Sequence, residues 1–350
     1  MTIRWALLGP GRHAERIVVP QMIKAAGTEV IAVMSRDRAR GEAFARKHGI
    51  PKVLTSFDDV LRDRDIDALY DATPDGLHAQ HAIEAAKTGR HSLIEKPLAV
   101  SIVEGEQVVA AGSRHGVKIG VVFNQRHEEV HQDARRMVLR GEIGEVKLAS
   151  VQIPLRITAP PSAGVIAANW RADLKMRSVG IVGSIGDHAC DTLAYMLGQE
   201  IEEVSAFTDA TQNVPPSDRV SGMLMKLSKG AIGYAAASFT TPFARRPFEI
   251  HGTKGSLIIE NSFAYLTGAS EDPRPKLTII NEAGSSTRDY APTECFRLEI
   301  EQFNRAIEGN GEPMTTAYEG LRALAIGEAF YDAIRRGRVA RVAEFMPEQI

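Results

Sequence analysis

Cysteine is nearly missing from this sequence: Cys190 and Cys295 are the only two in 350 residues. They are far apart and lack metal-ligand spacing, which argues against a disulfide framework and a thiolate metal centre. An excess of charge of one sign is missing too. The 42 Lys and Arg face 44 Asp and Glu, a formal net charge of −2, so no strong field draws the chain to nucleic acid or an anionic lipid surface. No apolar run approaches the roughly 20 residues of a membrane span. Met1-Thr2 leads straight into an apolar strand, without the apolar length or small-residue cleavage site of an export signal. Repeats and low-complexity linkers are likewise absent. These absences lead us to expect a cytoplasmic folded protein that works on small molecules, with no nucleic-acid partner, no membrane and no metal.

What is present is an ordinary globular composition, 44% hydrophobic and 25% charged, at a length that suits two domains. Short apolar runs at 6–8, 30–34, 68–72, 92–94 and 118–122, with a weaker one at 53–54, alternate with helical spacing at 41–48, 57–61, 78–88 and 102–115. Strands alternating with helices at this pitch predict a parallel sheet covered on both faces. Pro20 lies inside the first helical stretch and is expected to kink or restart it. Beyond Phe123 the rhythm changes. A helix is predicted over 129–140, then strands at 146–154, 204–208, 220–227, 232–240, 247–251, 256–260 and 276–280. Glycine-bearing turns such as Ser228-Lys229-Gly230 separate several of them, which predicts antiparallel hairpins in one large open sheet. Amphipathic spacing closes the chain at 295–308 and 317–337. The expected architecture is an α/β Rossmann domain over 1–123, then an α+β domain over 124–350 with a mainly antiparallel open sheet. The second domain is expected to bind substrate and to oligomerise, and its last helices to pack back on the first. An open sheet needs a covered face, so a homodimer or homotetramer is expected.

Gly9-Pro10-Gly11-Arg12-His13-Ala14 joins the first strand to the first helix and fits the pattern G-x-G-x-x-A. Gly9 permits the tight turn, Gly11 lets backbone approach a pyrophosphate, and Ala14 allows close helix–sheet packing. The helix N-terminus, with Arg12 and His13 beside it, offers N–H groups and positive potential to phosphates. Roughly 20 residues on, where a ribose-binding acid marks NAD sites, stands Ser35, with Arg36, Arg38 and Arg40 behind it. A hydroxyl and guanidinium groups accept a 2′-phosphate that a carboxylate would repel, so NADP is expected in preference to NAD. The arginines also suit a solvated helix start, and Asp37 stands close enough to serve a ribose, which keeps NAD open.

Two further segments, Ala72-Thr73-Pro74-Asp75-Gly76-Leu77-His78 and Ile94-Glu95-Lys96-Pro97-Leu98-Ala99, flank a helical stretch. With the glycine fingerprint, and with Asn124-Gln125-Arg126, Gly141-Glu142-Ile143-Gly144-Glu145-Val146, Trp170-Arg171, His188-Ala189-Cys190-Asp191 and His251-Gly252-Thr253-Lys254-Gly255-Ser256-Leu257, they follow one order along nearly the whole chain. That order resembles the glucose–fructose oxidoreductase / inositol dehydrogenase / rhizopine-catabolism (Gfo/Idh/MocA) family. Within it, Met34-Ser35 through Arg40-Gly41 together with Trp170-Arg171 look most like a bacterial NADPH-using reductase. The resemblance implies that Glu95 and Lys96 contact the nicotinamide end and that Thr73 and Pro74 line the cofactor. His78 reads as a capping or packing histidine at the same site. Independently of the family, Lys96 follows the fifth strand, at the sheet end where ligands bind, and is able to donate to a reacting oxygen.

The resemblance also implies a second motif, Asp-x-Gly-x-His, at the start of a helix. Here the segment is Ser184-Ile185-Gly186-Asp187-His188. His188 fits the proton-transferring histidine, with an ordinary pKa of about 6.5. Ser184 replaces the aspartate and supplies a hydroxyl without charge. Asp191, three residues on from His188, is placed to orient the imidazole or meet substrate and equally suits a surface or cap carboxylate, while Asp187 is expected to point elsewhere. Trp170 and Arg171 are expected to close over cofactor and substrate, and Asn124 to meet substrate or ribose. The reading is a hydride transfer to or from a sugar, anhydrosugar or cyclic polyol, with Lys96 and His188 catalytic. A glycoside-cleaving enzyme that holds NAD, and a cofactor-binding regulator without chemistry, stand as competitors.

Overall fold

A computed structural model describes residues 1–154, 185–209, 218–241, 245–263 and 274–348. The first sheet contains β1 (Ile3–Leu8), β2 (Thr28–Met34), β3 (Lys52–Leu54), β4 (Ala68–Asp71), β5 (His91–Ile94) and β6 (Ile119–Val121). Its order is β3-β2-β1-β4-β5-β6, and every pairing is parallel. Because β1 has β2 on one side and β4 on the other, the chain crosses over in opposite directions beyond its carboxyl end. That switch point opens the crevice in which such sheets bind ligands.

The helices covering this sheet follow from their caps. Asp37 opens α2 (Arg38–His48), Ser56 opens α3 (Phe57–Arg62) and Ser101 opens α5 (Ile102–His115), each side chain accepting from a backbone N–H of the first turn. Left-handed Gly49 and Gly116 end α2 and α5. The helix after the glycine loop restarts as the proline predicted: a π turn over Ala14–Val18 passes into α1 (Val19–Met22), with Pro20 in its first turn. One further helix, α4 (Asp75–Lys87), lies between β4 and β5.

A 3-10 turn (Asn124–His127) and α6 (Glu129–Leu139) lead into the second sheet. Its strands are β7 (Val146–Pro154), β8 (Ile201–Thr208), β9 (Val220–Leu227), β10 (Ile232–Ser238), β11 (Phe248–Gly252), β12 (Gly255–Glu260), β13 (Lys276–Asn281), β14 (Gly284–Asp289) and β15 (Ala340–Arg341). The order is β14-β13-β12-β11-β7-β10-β9-β8-β15, antiparallel except between β7 and β10. One face buries Val151, Ile153, Met225 and Ile250 against α6, α7 (Asp187–Leu197) and the later helices. The other leaves Leu148, Phe207, Leu224, Ile232 and Tyr234 exposed. Two strands went unpredicted. β14 reads Gly-Ser-Ser-Thr-Arg-Asp and is exposed throughout, so it has no apolar alternation to reveal it; β15 is two residues long.

The helices α8 (Cys295–Ile307) and α9 (Ala317–Arg336) return to the first sheet. From α8, Phe303 packs on the ring of Trp5 and Asn304 Oδ1 accepts from Trp5 Nε1 at 3.1 Å. Its neighbour on that helix, Ile300, enters the same core as Trp5, Leu7 and Val18. α9 opens on a capping box made by Thr316 and Glu319 and packs on both α5 and β8, joining the two sheets.

Candidate active site

The site begins at the end of β1. Gly9 holds φ +85°, and a Cβ there would stand 2.8 Å from Ala72 O, so both conformation and space demand glycine. At Gly11 a Cβ would meet only Gly9 O, at 4.0 Å. The loop is tight beneath and open above, and this fits backbone amides reaching a pyrophosphate at a helix start. Arg12 and His13 are exposed beside it. At the end of β2, Ser35 is buried and its hydroxyl donates to Asp37 O at 2.8 Å. The Asp37 carboxylate accepts from Arg40 N at 3.1 Å, and the Arg40 guanidinium reaches across to Pro10 O at 2.9 Å. Arg36 is exposed at the same edge.

Beyond β4, Asp71 is buried and accepts from Thr73 Oγ1 at 2.6 Å and from Thr73 N at 3.0 Å, while its other oxygen meets His81 Nδ1 at 2.8 Å. Burial would raise its pKa, yet His81 and Thr73 hold it below the ordinary carboxylate value. This network fixes Thr73 and Pro74, the latter at the N-cap of α4. His78 is fully buried, with Nδ1 2.7 Å from Pro97 O and Nε2 3.0 Å from Thr73 O. It ties the two strand-end loops together, as a packing histidine would.

After β5, Glu95 accepts from Tyr70 Oη at 2.8 Å and meets His13 Nε2 at 2.9 Å. Burial pushes the Glu95 pKa up, but His13, Tyr70 and Lys96 together hold it below its ordinary value. Glu95 thus clamps the glycine loop to the fifth strand. Tyr70 was missed in the sequence because it reads as one more apolar residue of a buried strand. The Lys96–Pro97 peptide is cis.

Lys96 meets the first turn of α7, on the second domain's side of the crevice. Its Nζ lies 3.6 Å from Asp187 Oδ2, and the two side chains are 16% and 8% exposed. The next residue, His188, is buried with its ring edge-on to Phe123, centroids 6.0 Å apart. Its Nδ1 is buried with no hydrogen-bond partner among the described residues. Burial first, then the charges of Lys96 and His13, depress the His188 pKa well below 6.5. The ordinary value expected for it is therefore corrected downward, to an imidazole that stays neutral.

Two expectations about carboxylates are overturned here. Asp187, expected to point away, faces Lys96. Asp191, expected to orient the imidazole, instead receives Arg126: Nη2 donates at 2.6 Å and Nε at 3.0 Å. The buried guanidinium of Arg126 offers Asp191 a forked, charge-assisted pair that outcompetes a neutral ring. Asn124, in the same 3-10 turn, is buried. Glu299 of α8, unremarked in the sequence, accepts from Phe123 N at 3.0 Å and so pins the start of that turn. Trp170, Arg171 and Ser184 lie outside the described residues. Among the described residues no group of three or more His, Cys, Asp or Glu is placed to hold a metal ion, and no helix is long and apolar enough to cross a membrane.

Comparison with known proteins accords with this geometry. Residues 3–123 match the family model described as oxidoreductase family, NAD-binding Rossmann fold, and residues 131–258 match the GFO/IDH/MocA C-terminal domain. The chain belongs to the Gfo/Idh/MocA oxidoreductase family. Among curated Gfo/Idh/MocA relatives, a 1,5-anhydro-D-fructose reductase of Ensifer adhaerens is 31% identical over 341 residues, 97% of this chain and 98% of that protein. A scyllo-inositol 2-dehydrogenase (NAD(+)) of Bacillus subtilis (strain 168) is 28% identical, covering 96% of this chain and 95% of that one. The crystal structure of an aldose-aldose oxidoreductase from Caulobacter crescentus, complexed with glycerol, shares the fold with a TM-score of 0.85. It is 22% identical and covers 97% of this chain and 100% of its own.

Proposed function

We propose that this oxidoreductase binds a nicotinamide dinucleotide over Gly9, Gly11 and the carboxyl ends of β1, β2, β4 and β5, and interconverts a carbinol and a carbonyl on a sugar, an anhydrosugar or a cyclic polyol. The observation that carries the reading is the meeting of Lys96, borne after β5, with Asp187 and His188 at the start of α7. The names of the Ensifer and Bacillus relatives support the substrate range.

When bound, the dinucleotide supplies or accepts a hydride at the substrate carbon. Lys96 donates a hydrogen bond to the substrate oxygen, where negative charge develops in either direction. His188, neutral because it is buried beside Lys96 and His13, takes the hydroxyl proton during oxidation, and microscopic reversibility returns it during reduction. Burial of His188 and Asp187, with Lys96 partly buried beside them, excludes water and strengthens their electrostatic effect.

The cofactor reading is NADP in preference to NAD. The one acid of Ser35-Arg36-Asp37-Arg38 is Asp37, and its carboxylate already caps α2. Arg36 is exposed at this edge, and Arg40, held across the glycine loop by Pro10 O, and Ser35 stand beside it, which supports a site for a ribose 2′-phosphate. Residues 1–123 are assigned to dinucleotide binding and 124–350 to substrate binding and assembly. The exposed apolar face around Leu224 and Tyr234 supports pairing with a second copy, as a homodimer or within a homotetramer. A cytoplasmic location is supported by Cys190 and Cys295, both free thiols.

The test is turnover of a panel of sugars, anhydrosugars and cyclic polyols, followed at the absorbance of the reduced nicotinamide with NADP(H) and NAD(H) in parallel. Calorimetry of each dinucleotide with the protein runs beside it. Turnover with a higher kcat/KM for NADP(H) is the expected result. A protein that binds neither dinucleotide sinks the reading.

A further inference from the structure

We infer that Asp187 is a positioning residue of the reaction: its carboxylate anchors the Lys96 ammonium and directs it at the substrate oxygen. The inference rests on the hydride-transfer reading and deepens it. Lysine is a point charge on a flexible four-carbon stem, so its direction must come from a partner. Asp187 is suited to give it. One carboxylate oxygen, Oδ1, accepts from His188 N at 2.8 Å and is fixed by the start of α7; the other, Oδ2, faces Lys96 Nζ at 3.6 Å. The same aspartate lines two cavities, one shared with Pro97 and Phe123 and the other with Arg126 and Tyr195, so it stands in the wall where the two halves of the molecule meet. Position 184 offers serine and hence no carboxylate. Asp187 brings one to the lysine from three residues further on.

Lys96, after β5, and His188, next on α7, stand beside Asp187. The charged groups that line the two cavities with it are Asp191 of α7, Arg126 of the 3-10 turn, Arg135 of α6, Glu200 just before β8, and Glu319, Arg322 and Glu328 of α9; Arg135 is taken up by Tyr195 O and Arg322 by Glu200. Arg126 is committed to Asp191 at 2.6 Å, which leaves Lys96 as the cation paired with Asp187 among the described residues. Burial pushes the Asp187 carboxyl up to about 6, against the opposing charge of Lys96. As the pH falls through that value the carboxylate is protonated, and Asp187 no longer directs the lysine.

The decisive variants are Asp187→Asn, which keeps an acceptor for His188 N but no charge, and Lys96→Ala. In the parent, kcat/KM falls below about pH 6. In Asp187→Asn it is expected to be about 10²-fold lower near neutral pH, the order a misplaced reacting group costs, and to lose that acid limb. Asp187→Asn made in the Lys96→Ala background is expected to cost nothing further. A readout independent of turnover is 13C-methylation of lysines followed by NMR, with the Lys96 signal identified by its absence from Lys96→Ala. That signal is expected to shift through an inflection near pH 6 in the parent and to lack it in Asp187→Asn. Should the parent neither bind a dinucleotide nor turn over any substrate, the hydride-transfer reading falls; should Lys96→Ala turn over at the parental rate, the lysine leaves the reaction and this inference falls with it. Should Lys96→Ala be inactive while Asp187→Asn keeps the parental rate and acid limb, or should the NMR inflection survive in Asp187→Asn, this inference alone is overturned.

Discussion

On the proposed reading, Lys96 acts through where its charge sits. Held 3.6 Å from a buried carboxylate, it would meet a reacting oxygen in a setting where a hydrogen-bond donor is worth far more than in water. Lys96→Ala is expected to lower kcat by about 10²–10³-fold while the dinucleotide dissociation constant changes little, as stopped-flow kinetics beside calorimetry would show. Parental kcat in that variant removes the lysine from the reaction. At the other end of the cofactor groove, Ser35→Asp places a carboxylate where a 2′-phosphate would lie. The ratio of kcat/KM for NADPH over NADH is expected to drop by about tenfold or more, since about 1.4 kcal/mol of repulsion suffices for that. An unchanged ratio puts the 2′ position elsewhere. Single residues were the least legible level of the sequence. The glycine loop and Lys96 could be singled out because their places at strand ends have a mechanical reason, and His188 because its segment resembles the family motif. Asp187 was misjudged because neighbours on a helix diverge by about 100°, a rule that says nothing of what another domain brings to the helix start. The role of orienting the imidazole fails for Asp191 for a similar reason: its partner Arg126 is 65 residues away.

Elements were far more legible, because caps and periodicity are local. The helix 102–115 was predicted with its observed bounds, set by Ser101 and Gly116 at its two ends. Strands β7 and β9 were also predicted with their observed limits, through alternation between a buried and a wet face. Where alternation is lacking, as in β14, nothing marked the strand. The turn after β1 gives the element-scale prediction. Gly9→Ala forces a side chain into a left-handed conformation costing about 1–2 kcal/mol and drives its Cβ to 2.8 Å from Ala72 O. A lower thermal midpoint and loss of dinucleotide binding in calorimetry are expected together. Retained binding at the parental affinity means that the loop opens without harm and that the cradle lies elsewhere.

For the whole molecule, the uncovered side of the second sheet sets the question of assembly. Leu224 pairs with Tyr234 across β9 and β10, and Ile232 pairs with Leu148 across β10 and β7, all on the exposed side. Leu224→Arg puts a charge in the middle of that patch and is expected to shift sedimentation from a dimer or tetramer to a monomer, with dinucleotide binding retained. A parent that sediments as a monomer at micromolar concentration refutes the assembly.

The contact of α8 with Trp5 also bears on how the chain is born. Part of the floor of the dinucleotide half comes from residues 296–304, which are made long after residue 123, and Met1 pairs with Glu308 at 2.5 Å. During synthesis the first 123 residues therefore stand with Trp5 of their central strand uncovered until Phe303 and Asn304 are made. A fragment ending at residue 123 is expected to bind a hydrophobic dye and to unfold at lower denaturant than the full chain. A separately supplied peptide spanning 295–308 is expected to quench that dye signal.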